Sequence, residues 1–167
     1  MKKIMIVDDN YLSAEGIEKN IDWETLNAEI IHVCYNGTSA IEAMKKEPAD
    51  LIISDIEMPD LDGISMSRQA LEINPMVKII LISAYDKFEY ARRALLLGAL
   101  DYIEKPLDYA YLIQKVKNAF ALMEKEQKNL QLLKQSRPLL TEKFFREITH
   151  LPSSEAAYRL KPYLKYL

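Results

Sequence analysis

Ile4-Met5-Ile6-Val7-Asp8-Asp9-Asn10 is a run of four apolar residues that stops at two acids and an amide. A short apolar run without alternating polar residues reads as a strand buried on both faces, as in a parallel sheet covered by helices. The same texture recurs along the chain. Glu29 to Cys34 reads as a second strand, and Leu51-Ile52-Ile53-Ser54 as a third that ends at Asp55. Lys78 to Ile82 is a fourth, ending at Ser83, and Leu100 to Ile103 a short fifth, ending before Lys105-Pro106. Segments of helical spacing lie between them. Leu12 to Ile21 has Leu12, Ile17 and Ile21 as its apolar positions, and Thr38 to Lys46 turns Ile41 and Met44 inward. A loop with Pro59 and Gly63 leads into a helix to about Ile73; Phe88 to Leu97 is another, closed by Gly98 as a C-cap; Leu107 opens a long one. Strands alternating with helices predict an α/β fold with a doubly wound parallel sheet.

In such a sheet, functional groups gather at the carboxyl ends of the strands. Asp8 and Asp9 follow the first strand, Asp55 the third, Ser83 the fourth and Lys105 the fifth. Three carboxylates at one edge repel one another and would take up protons unless a cation intervened. Oxygen ligands from few residues suit Mg²⁺, which keeps several waters and accepts phosphate oxygens. An acidic cluster with Lys105 and a hydroxyl is therefore a site for phosphoryl transfer, in which cation and lysine neutralise the moving oxygens and Ser83 donates a hydrogen bond. Asp55, on the middle strand, is the natural nucleophile. Taken singly, each residue has a plainer reading: Asp8-Asp9 as a helix N-cap, Asp55 as a loop acid, Ser83 as a cap, Lys105-Pro106 as a turn. It is their joint placement at strand ends that carries the inference.

The stretches Ile6-Val7-Asp8-Asp9, Ile53-Ser54-Asp55-Ile56-Glu57-Met58-Pro59, Asp62-Gly63, Leu81-Ile82-Ser83-Ala84 and Lys105-Pro106 resemble, in order, the motifs of response-regulator receiver domains of two-component systems. The resemblance covers about residues 1 to 122. It implies the flavodoxin-like (βα)5 fold with strand order 2-1-3-4-5 and Asp55 as phosphoacceptor, loaded by a sensor histidine kinase. It also implies Mg²⁺ held directly by Asp9, Asp55 and the backbone carbonyl of Glu57, with Asp8 acting mostly through water. Ser83 and Lys105 would contact the phosphoryl group. Ser83 would move toward it, and Tyr102 would turn inward, repacking the face formed by the fourth and fifth helices and the fifth strand. The Lys105-Pro106 bond is usually cis in this family. Glu57 and Tyr85 occupy places that modulate the attacking water. Ser83 to Ala91, with Ile21-Asp22-Trp23, is similar to regulators that carry an AraC-type helix-turn-helix domain at the C-terminus. The expected role is that of a regulator rather than an enzyme, apart from self-catalysed chemistry at Asp55.

The length, 167 residues with 49% hydrophobic and 28% charged, suits one domain plus an appendage. After about Ala121 the texture becomes rich in Glu, Lys, Gln and Leu. The expected division is a receiver over 1–122, a helical extension over 123–137 and the start of a linker or further helical region over 138–167. Val116, Phe120, Met123, Gln127 and Leu130 form a weak heptad seam that Gln127 interrupts; a solvated extension and a dimerising coil both remain open. Pro138 is expected to end the helix, and Leu139 to Leu151 then resumes apolar spacing. A homodimer is expected. The net charge of −3 predicts no general affinity for nucleic acid, so DNA binding would belong to a C-terminal domain for which this chain has no room. No apolar run is long enough to span a membrane, and the N-terminus does not read as a secretory signal, so a cytoplasmic location is expected.

Cys34, the one cysteine, reads as a core thiol. His32 and His150 fall in no ligand or triad pattern, and Trp23 reads equally as a packing residue. Three other functions compete with this reading. A stand-alone receiver acting through protein contacts would stop near Glu124. A flavin protein would need a phosphate-binding loop after the first strand, where Asp8-Asp9 would repel the anion. A degenerate receiver would lack competent residues at the site positions, all of which are filled.

Overall fold

The computed structural model describes residues 1–84 and 101–148, the side chains of the second stretch as far as 132. The described elements are β1 (Lys2–Val7), α1 (Tyr11–Asn20), β2 (Ala28–Cys34), α2 (Gly37–Lys46), β3 (Leu51–Asp55), α3 (Gly63–Ile73), β4 (Lys78–Ser83), β5 (Asp101–Glu104) and α4 (Tyr109–Ile148). The strands are parallel and ordered β2-β1-β3-β4-β5, as the resemblance implies. The chain divides into two compact units, Met1–Ala121 and Leu122–Leu167.

In the first unit the apolar runs are buried on both faces of the sheet. Successive strand residues point to opposite sides, and Ile4, Met5, Ile6 and Val7 are all essentially inaccessible. Met5, Val7, Ile52, Ile79 and Leu81 join Ile41 and Met44 of α2 and Ile64, Met66 and Ala70 of α3 in one cluster. Buried residues outside that cluster include Ala14 and Ile17 of α1 and Leu112, Val116 and Ala119 of α4. Gly16 of α1 lies so close to the Tyr109 hydroxyl of α4 that a β-carbon there would meet it.

Side-chain caps start the helices on the carboxyl side of the sheet. Asn10, Asn36 and Asp62 accept hydrogen bonds from the free amides of α1, α2 and α3, and Asp108 does so for α4. Asn10 is thus the cap of α1, which releases Asp8 and Asp9 from the plainer reading.

Several expectations are corrected. Leu12 is 75% exposed, because the buried stripe of α1 runs Ala14, Ile17 and on to Ile21. Two residues before Ala14 lies the opposite side of a helix that turns 100° per residue. β5 starts and ends one residue later than expected. Pro138 does not end the helix: α4 runs through it to Ile148. Proline removes one backbone bond and crowds the preceding turn, but Gln, Leu, Lys, Arg and Glu around it are strong helix formers. Along the seam Val116, Phe120 and Met123 are buried, whereas Gln127 and Leu130 are exposed.

Cys34 and Trp23 are both buried, and the Trp23 indole donates to the Glu18 carbonyl at 3.2 Å. His32 pairs through Nε2 with the Glu47 carbonyl at 3.0 Å. The helix expected over Phe88 to Leu97, its Gly98 cap, Tyr85 and His150 lie outside the described residues. Among the described residues no helix is long and apolar enough to cross a membrane.

Candidate functional site

Strand register brings the chemistry to one edge. Val7 pairs with Ser54, Asp55 with Ile82, and Ser83 with Glu104, so Asp8, Asp55, Ser83 and Lys105 all fall at the carboxyl ends of adjacent strands. The Lys105 amide donates to the Ser83 carbonyl at 2.8 Å and the Asp8 amide to the Cys34 carbonyl at 3.1 Å, which ties the loops to the ladder. The Lys105-Pro106 peptide is cis.

Asp8, Asp9 and Asp55 each place a carboxylate oxygen within 4.8 Å of the others. Asp8 and Asp55 are buried and Asp9 is exposed. Lys105 Nζ lies 2.5 Å from Asp55 Oδ2 and 3.2 Å from Asp8 Oδ2. The second oxygen of Asp55 accepts from the Glu57 amide at 3.1 Å. Asp8 Oδ1 accepts from the Asn10 amide at 2.9 Å, and Asp8 Oδ2 from the Ser13 hydroxyl at 2.5 Å.

The loop after β3 is held by its neighbours. The Ile56 amide donates to the Ile82 carbonyl and the Gly63 amide to the Ile56 carbonyl, both at 2.9 Å. Farther along, Asp60, at φ 68°, accepts from the Thr38 hydroxyl at 2.7 Å.

Electrostatics follow from burial. Loss of water pushes the Asp55 carboxyl above its ordinary value, and the charge of Asp8 adds to this; the bond and charge of Lys105 and the Glu57 amide work against it without cancelling it. For Lys105 burial acts downward, but the bond and charge of Asp55, with those of Asp8, win and raise it, keeping the ammonium charged. The two partners differ because Asp55 is the deeper and faces a second carboxylate. Among these residues three carboxylates face one ammonium, a deficit of two positive charges. A hard divalent cation would supply both, and an all-oxygen donor set fits one.

The pocket thus gathers Asp8, Asp9, Asp55 and Lys105. Ser83 is fully buried at the end of β4, and the Glu57 main chain is bonded to Asp55. Tyr102 stands apart on β5, partly buried and packed against the core cluster. Ser13 was not foreseen. Its partner is five residues back across a cap, a relation that no helical spacing rule marks.

Comparison with known proteins bears on the family and the fold. Residues 4–117 match the family "response regulator receiver domain". The receiver domain of AraT, a response regulator from Geobacillus stearothermophilus, is 34% identical, with a TM-score of 0.71 over 75% of this chain and 98% of that one. A two component transcriptional regulator AraC from Clostridium phytofermentans is 30% identical, with a TM-score of 0.68 over 77% and 99%. Among curated proteins, the transcriptional regulatory protein YesN of Bacillus subtilis is 29% identical over 75% of this chain and 34% of its own length. HptR of Staphylococcus aureus is 30% identical over 67% and 44%. The chain thus spans less than half the length of these curated relatives. A family match over most of the chain, the 2-1-3-4-5 sheet and the acid–lysine pocket at its carboxyl edge lead to one assignment: the chain belongs to the response regulator receiver domain family.

Proposed function

We propose that this chain is a phosphorylation switch: Asp55 accepts a phosphoryl group from a sensor histidine kinase, and the loaded state controls transcription through an AraC-type DNA-binding domain outside these 167 residues. The observation that carries this reading is Lys105 Nζ at 2.5 Å from Asp55 Oδ2, inside a pocket lined by two further carboxylates.

In this reading an Asp55 oxygen attacks phosphorus as the P–N bond to the kinase's phosphohistidine breaks; the imidazole leaves and takes a proton from water, and the Asp55 oxygen becomes the bridging oxygen of an aspartyl phosphate, an acyl phosphate. The Glu57 amide and Lys105 hold the carboxylate in place for attack, one on each oxygen. Lys105 then neutralises the arriving group, and the Ser83 hydroxyl donates to one of its oxygens. Asp9, Asp55 and the Glu57 carbonyl would hold Mg²⁺ directly, with Asp8 acting through water. Bound there, the ion supplies positive charge to the transferring oxygens. Tyr102, now half-buried against the core, is the proposed switch residue that follows Ser83 inward.

Residues 1–122 form the proposed receiver, 123–137 a helical extension that supports a homodimer, and 138–167 a linker or following region. The names of the relatives support transcriptional output, and a cytoplasmic location goes with a kinase partner.

The test is intact mass after incubation with acetyl phosphate, with and without Mg²⁺, for wild type and Asp55→Asn. One phosphoryl adduct that needs both Mg²⁺ and Asp55 is expected. No adduct on a folded protein would overturn the reading.

A further inference from the structure

We infer that Ser13 is a positioning residue of the acidic pocket, its hydroxyl fixing the Asp8 carboxylate in the orientation that a divalent cation and Lys105 both meet. The inference rests on the proposed phosphorylation site and concerns a residue outside every motif that identified it.

Asp8 is 1% exposed, so its carboxylate depends on the protein for its partners. Three donors serve it: the Asn10 amide on Oδ1, and the Ser13 hydroxyl and Lys105 ammonium together on Oδ2. They differ in stiffness. Lys105 ends a long flexible side chain and must also serve Asp55, to which it is closer by 0.7 Å, the difference between 3.2 and 2.5 Å. The Asn10 amide holds one oxygen only, which leaves the carboxylate free to swing about it. Ser13 has a single rotor and sits in the first turn of α1, where the Asn10 side chain accepts from the Leu12 and Ser13 amides. It is therefore the short, rigid anchor for Oδ2. Its hydroxyl also takes up part of the negative charge on that oxygen, which weakens the pull of Asp8 on Lys105. The lysine accordingly leans toward the acceptor, Asp55. Groups behind the residues that hold a metal, whether those act directly or, as proposed for Asp8, through water, contribute to a site's affinity.

The experiment is an Mg²⁺ titration of the full chain followed by amide chemical shifts, for wild type, Ser13→Ala and Ser13→Thr. Ser13→Ala is expected to weaken Mg²⁺ binding on the order of tenfold, the usual effect of losing an outer-shell partner. Ser13→Thr keeps the hydroxyl at a half-exposed position and is expected to bind as wild type does. A serine with only a structural part would lower the melting temperature in EDTA and leave the Mg²⁺ affinity where it was. That result, with wild type binding normally, overturns the inference alone. Absence of Mg²⁺ uptake by folded wild type overturns the proposed function together with it.

Discussion

Gly63 lies directly against the main chain of Asp55: a β-carbon added at residue 63 would collide with the Asp55 carbonyl oxygen. Its amide donates to the Ile56 carbonyl at 2.9 Å, so the first residue of α3 is pinned to the strand end that carries Asp55, the proposed acceptor. A side chain there must displace backbone on one side or the other. Gly63→Ala is expected to cost about 1–3 kcal/mol, the range for overpacking a filled site. It is also expected to slow phosphorylation of Asp55 at saturating acetyl phosphate. Urea unfolding and the rate of adduct formation check the two effects. A variant as stable and as fast as wild type would mean that the contact is easily relaxed.

Asp55 is expected to cost the metal-free protein stability. Its carboxyl is held above the ordinary value by burial and by Asp8. An acid whose folded pKa exceeds its unfolded one penalises folding at neutral pH, and the penalty is relieved as pH falls through the folded value. In EDTA, Asp55→Asn should therefore be the more stable protein at pH 7, with Lys105 still paired to Asp8 at 3.2 Å. The gap should narrow as pH drops into the acid range where the wild-type carboxyl takes up its proton. Urea midpoints at stepped pH would measure it; a wild type that is more stable at pH 7 would contradict the expectation.

These site residues were legible because apolar runs buried on both faces can end only where chemistry or solvent begins, and the parallel topology lines those ends up. Asp55 and Lys105 lie 50 residues apart and meet through that rule alone. What was not legible depended on local geometry. Asp8, Asp9 and Asn10 are three consecutive residues able to cap a helix, and only the path of the chain selects Asn10. Leu12 is apolar but two residues off the buried stripe. The contact of Ser13 with Asp8 spans the Asn10 cap at the start of α1, a relation that no periodicity encodes.

Cys34 should behave as an inert thiol. It closes β2 inside the core cluster, and burial pushes its thiol up, outweighing a hydrogen bond from Ser39. Little thiolate forms at pH 7 and reagents cannot reach it. Labelling by a disulfide reagent is expected to be at least on the order of a hundredfold slower in native protein than in urea. Equal rates would show that β2 opens readily at the sheet edge.

Pro138 interrupts a helix that nevertheless continues from Tyr109 to Ile148. A proline cannot donate to the carbonyl four residues back, and one in a helix interior costs about 3 kcal/mol. The surrounding helix must tolerate this without any contribution from the proline itself. Pro138→Ala restores the missing donor. The variant is therefore expected to show greater helical ellipticity and slower amide exchange over residues 134–142. The adduct rate at Asp55 should not change, since the site is built from strand ends and their loops in the first unit. Unchanged exchange in those residues would mean that proline is not what limits the helix there, and a changed adduct rate would reveal coupling between the extension and the proposed phosphorylation site.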